Sequence, residues 1–144
     1  MPDTLGRNAG LNPVHAILLA FPVALFTTAL ITDIAYLRTQ ELQWTNFSAW
    51  LIAGGLVFTG LVLAWALVSV FLAFRHGDRL RHFIYAGLVA ALFIVGLVNA
   101  FQHSRDGWSS VGTFGLVLSI VSAVLALSAA VIAHTRLFSR EAAR

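Results

Sequence analysis

The sequence predicts an all-α integral membrane protein, a four-helix bundle running up-down-up-down with both termini in the cytoplasm. Composition is the first sign: 59% of the 144 residues are apolar and only 10% charged, against roughly half and a quarter in a soluble domain. The apolar residues fall into four runs, about 14–37, 46–74, 80–101 and 110–138, each long enough to cross a bilayer. The arginines then orient the runs. Arg7, Arg75, Arg79, Arg81, Arg136, Arg140 and Arg144 fall on the N-terminal arm, the second loop and the C-terminal tail, whereas only Arg38 and Arg105 fall on the two opposite loops. The arginine-rich side is expected to be cytoplasmic. Trp44, Trp50 and Trp108 collect at the other surface, where an interfacial aromatic belt belongs.

Residues 1–13 hold Pro2, Gly6, Gly10 and Pro13 with little to pack, and read as a flexible arm. The run that follows is too long for a secretory signal, so the first helix is expected to stay as an anchor. Its polar residues share one face. His15 and Asp33 are 18 residues apart, which is five whole turns, on a stripe that also passes through Pro22, Phe26 and Ala29 and separates the two by about 27 Å. Ionisable groups inside spans face protein or water, so the stripe is expected to face the bundle.

A short polar loop, residues 38–46, leads into the second span, where Ala49 with Ala53 and Gly60 with Ala64 have the small-xxx-small spacing that admits a neighbouring backbone. Trp65 within it reads as a packing residue. The third span carries Gly87, Gly96 and Asn99, with His103 one turn beyond Asn99 on the same face. A buried amide needs a partner on another helix, and Asp33 lies at a similar depth. Asp33, Asn99 and His103 are therefore expected to form a structural polar cluster. In the fourth span Gly112, Gly115, Ser119, Ser122, Ala126, Ala129 and Ala133 recur at a strict 4-3 spacing, and every one is small. That pattern marks a close helix-packing seam of left-handed type. Residues 14–138 thus form one transmembrane domain, and 139–144 a tail.

The same residues narrow the chemistry. With no cysteine there is no disulfide framework, thiolate metal site, cysteine nucleophile or covalent c-type haem. Arginines scattered over short loops argue against a nucleic-acid-binding surface. No nucleophile–base–orienter set, phosphate loop or paired carboxylate occurs, so neither catalytic residues nor a metal site is expected. Sorted by depth, the polar residues form a cytoplasmic group, His15, His76, His82 and His134, and an outer group, Asp33, Asn99, Gln102 and His103. The histidines suit three roles: interfacial packing, proton handling, or axial ligation of a b-type haem with His15 and His82 as the candidate pair. Asp33 with Asn99 either ties helices together or lines a proton or ion path.

The run His15, Phe21-Pro22 and Asp33, followed by Trp50 and Gly54, a basic turn ending in Arg81-His82, and then Asn99 and Arg105, resembles a bacterial transmembrane family known as domain of unknown function 2231. The resemblance covers about residues 11–136. It implies a four-helix membrane protein, and the joining of some members to Rieske-type or cytochrome-type domains implies a redox setting. His15, Pro22, Asp33 and His82 are the positions that carry over. This chain departs from the pattern at Ala16, where the family usually places a proline, and in ending on AHTRLF instead of a Gly-rich, His-containing segment. The function expected is that of a structural or assembly subunit of the bacterial cytoplasmic membrane that packs in the lipid bilayer with other helices or with a second copy as a homo-oligomer. The alternative is an electron-transfer module that binds b-type haem or quinone and meets a redox-protein partner.

Overall fold

The computed structural model describes residues 12–73, 79–105 and 111–135. Among them are four long helices: α1 (Pro13–Thr39), α2 (Leu42–Ala73), α3 (Arg79–His103) and α4 (Thr113–His134). The start of α1 is set locally. Pro13 occupies the first turn, where its missing N–H costs nothing, and the Asn12 side chain accepts from the Val14 N–H at 3.0 Å. Its end is equally local: Gln40 takes a left-handed conformation, φ 58°, and its N–H bonds to the Tyr36 carbonyl at 2.7 Å.

The connection to α2 is therefore only Gln40 and Glu41, shorter than the polar loop the sequence suggests. Arg38, Thr39 and residues 42–46 are helical, because polar side chains on the terminal turns reach the interface while the backbone keeps its internal bonds. At the other end α4 begins at Thr113, with Gly112 as its cap. Residues 1–11, 74–78, 106–110 and 136–144, which include most of the arm, His76, Trp108 and the tail, lie outside the described residues.

Neighbouring helices run antiparallel, with α1 and α3 each packed against both α2 and α4. Side-chain bonds fix the directions. Thr32, near the end of α1, meets Ser48, near the start of α2, at 2.7 Å. Arg81, near the start of α3, donates to the Ile132 carbonyl and, at 3.1 Å, to Thr135 at the end of α4.

The core has two apolar layers: Leu19, Val62, Val89 and Ala129 in one, and Phe26, Ala29, Ile52, Leu92 and Ala126 in the other. Phe26 wedges between two backbones. A Cβ on Gly55 or on Gly96 would lie 3.0 Å from its ring. On α1 the buried face takes in His15, Leu19, Pro22, Phe26, Ala29 and Asp33; on α4 it takes in Gly115, Ser119, Ser122, Ala126 and Ala129. Of the other two seam positions, Ala133 is half-buried and Gly112 is exposed. Large apolar side chains such as Ile17, Trp50, Val57, Phe71, Phe101 and Val131 face outward, which is the surface lipid requires.

Candidate functional site

Polar side chains gather at the end of the bundle where α1 and α3 finish and α2 and α4 begin. Asp33 lies six residues from the end of α1, and Ser119 six residues into α4; at the helical rise both are about 9 Å from the helix ends, and so at one depth. Asn99 and His103 approach from the last turn of α3. These four residues form a continuous network.

His103 Nε2 lies 3.0 Å from Asp33 Oδ1, and both side chains are fully buried. His103 Nδ1 lies 3.0 Å from the backbone carbonyl oxygen of Asn99, one turn earlier. Asn99 Nδ2 donates to Ser119 Oγ at 3.0 Å, and Ser119 donates in turn to Asp33 Oδ2 at 2.5 Å. Three helices are tied through one carboxylate. The fourth joins beside it, since Thr32 shares a hydroxyl bond with Ser48 of α2, and Ser48 also donates to the Ala29 carbonyl at 3.3 Å. Two buried polar atoms near this layer, Asn99 Oδ1 and Ser122 Oγ, have no hydrogen-bond partner among the described residues.

A smaller cluster occupies the opposite end. His15 Nε2 and the Tyr85 hydroxyl are 2.9 Å apart, and the imidazole lies between the rings of Trp65 and Tyr85 with centroids at 5.7 and 5.6 Å. Trp65 is thus a partner of His15 as well as a packing residue. His134 Nδ1 lies 2.7 Å from its own helix's Ala130 carbonyl. His82 is half-buried on α3, one turn before Tyr85. This geometry bears on the candidate haem pair. An iron at His15 Nε2 would have to displace the Tyr85 hydroxyl from that atom.

The structure brings Asp33, Asn99 and His103 into one layer, with Asp33 and Asn99 linked through Ser119 and not directly. Sequence reasoning counts Ser119 as a small seam residue and misses it as a ligand of the carboxylate. A signal for it exists: a hydroxyl, in a seam otherwise of glycine, alanine and Ser122, at the depth of Asp33. Tyr85 is missed as well, because it shares a face with His82 one turn away and spacing alone gives no reason to prefer it.

Four helices long and apolar enough to cross a membrane, closed around a buried polar layer at each end, define an integral membrane four-helix protein. The chain belongs to the family of predicted membrane proteins named domain of unknown function 2231, whose family model matches residues 11–134. No curated protein and no solved structure matches the chain.

Proposed function

We propose that this protein is a structural subunit of a bacterial cytoplasmic membrane, a pre-packed bundle that docks as one piece beside other membrane helices, with both termini and the α2–α3 turn in the cytoplasm. The observation that supports this is the way the buried polar groups are used. Asp33, His103, Asn99 and Ser119 bond across three helices, Thr32 with Ser48 across α1 and α2, and His15 with Tyr85 across the bundle. The polar groups hold the helices in one arrangement, and the exterior is left to apolar contact. On the outer face of α2, Ala53 and Ala64 are exposed, small enough for a neighbouring backbone to approach.

The test is the size of the particle extracted from its native membrane in mild detergent, measured by native electrophoresis and light scattering. A species larger than one chain in its micelle is expected, and replacing Ala53 or Ala64 by Trp should reduce it to the single chain. A single chain throughout, in every mild detergent tried, would overturn the reading.

A further inference from the structure

We propose that Asp33 and His103 form a proton-binding site, holding one exchangeable proton between Asp33 Oδ1 and His103 Nε2 so that the buried pair is electrically neutral. The donors and acceptors around the ring require it. His103 Nδ1 stands 3.0 Å from the Asn99 carbonyl oxygen, an atom that only accepts, so Nδ1 must carry a hydrogen; a bare Nδ1 would set two lone pairs against each other. Asp33 Oδ2 is an acceptor too. Ser119 has one hydrogen and gives it to Oδ2, because its own oxygen is already accepting from Asn99 Nδ2.

One contact is left to hold a proton, the 3.0 Å approach of Nε2 to Oδ1. Without a proton there, an ionised carboxylate would face an imine lone pair. With one proton the pair is either carboxylate with imidazolium or carboxylic acid with imidazole, and the two forms differ only by its position along that contact. Both are neutral overall.

Burial leads to the same state independently. Asp33 is fully buried and His103 nearly so, and a lone charge at such a site is far costlier than a paired one. Nothing else described could balance it. On α1 the buried polar neighbours of Asp33 are Thr32 and the phenol of Tyr36 one turn on, on α2 Thr45 and Ser48, on α4 Ser119 and Ser122, and on α3 Asn99 and Gln102, none of them a carboxylate or a basic group. The charged side chains described near this end, Arg38, Glu41 and Arg105, are on exposed residues. The ligand of the site is thus the proton itself. Its exchange changes the interior charge by one unit and loosens or restores the bond that joins α1 to α3.

The experiment uses the full chain in lipid, labelled with nitrogen-15 at histidine and studied by solid-state NMR together with infrared spectroscopy. His103→Gln identifies the signals of His103. At neutral pH the expected result is either a His103 ring with hydrogen on both nitrogens, or a ring with hydrogen on Nδ1 alone accompanied by a carboxylic acid C=O band that Asp33→Asn removes. In Asp33→Asn the side-chain amide can donate to Nε2, so the ring should become singly protonated at Nδ1 with the fold retained. A singly protonated wild-type ring with no carboxylic acid band would overturn the proposal. So would a doubly protonated ring that persists in Asp33→Asn.

Discussion

The wedge at Phe26 gives the sharpest test of the packing. A Cβ placed on Gly96 would lie 3.0 Å from Phe26 Cζ and 3.1 Å from Leu56 Cδ2, so a neighbour must give way by a few tenths of an ångström. The ring also faces Gly55, where an added Cβ would come equally close, so it has little room to shift away from Gly96. Gly96→Ala is therefore overpacked on a helix already held from two sides, which costs about 1–3 kcal/mol. Against this stands a gain of at most about 1 kcal/mol from helix propensity. With the full propensity gain, a net loss of about 0–2 kcal/mol is expected. Gly87 on the same helix is the control: nothing lies within 4 Å of its added Cβ, so Gly87→Ala should be neutral or mildly stabilising. Equilibrium unfolding in mixed micelles, followed by circular dichroism, measures both. Trimming the wedge should reverse the sign of the interaction, so Phe26→Leu with Gly96→Ala should lose less than the sum of the single changes. Equal stability of Gly96→Ala and Gly87→Ala, or strict additivity in the double variant, would refute the clamp.

Three further outcomes follow from features on other helices. Ser122 is fully buried and Val124 is exposed, so Ser122→Leu should lose about 1–3 kcal/mol by overpacking while Val124→Leu is silent in the same micelle; Ser122→Ala, which removes a hydroxyl that has no partner among the described residues, should gain up to about 1 kcal/mol. Asp33→Asn should leave thermal stability near that of the wild type, because an amide can still meet His103 and Ser119, whereas Asp33→Leu should lose on the order of 0.5–2 kcal/mol. Reporter tags at residues 1 and 144 should both read as cytoplasmic and one beside Arg105 as external; tags that report opposite sides for the two ends would contradict the arginine asymmetry.

How far the sequence reaches depends on what periodicity encodes. The 18-residue interval from His15 to Asp33 states a direction, and the structure buries both together with Pro22, Phe26 and Ala29. Spacing likewise singles out the α4 positions from Gly115 to Ala129 that lie inward. What period cannot express is which neighbour stands opposite. His82 and Tyr85 are one turn apart on α3, and only the rotation and height of α1 against α3 decide that the tyrosine meets His15. Arg81 is similar: counted for its charge on the cytoplasmic side, it also binds a carbonyl at the end of α4, where the last turn's oxygens lack helical partners. The Phe26 wedge is equally hidden, because Gly55 and Gly96 belong to different helices and their common neighbour to a third.

The separation between the two polar clusters has an electrical consequence. From Leu19 to Ala29 the interior is filled by apolar side chains, and Thr59, the hydroxyl buried there, is spent on its own helix at the Gly55 carbonyl, 2.7 Å away. That stretch spans about 15 Å at the helical rise. That apolar stretch separates Asp33 from the opposite end of the bundle. About 9 Å from the helix end, in a hydrocarbon layer of about 30 Å, the site feels no more than about a third of the transmembrane field. With about 2.3 kcal/mol per unit charge per 100 mV across the whole membrane, that is at most about 0.7 kcal/mol, or about a threefold change in occupancy per 100 mV. A charge at that depth would cross only a small part of the transmembrane field.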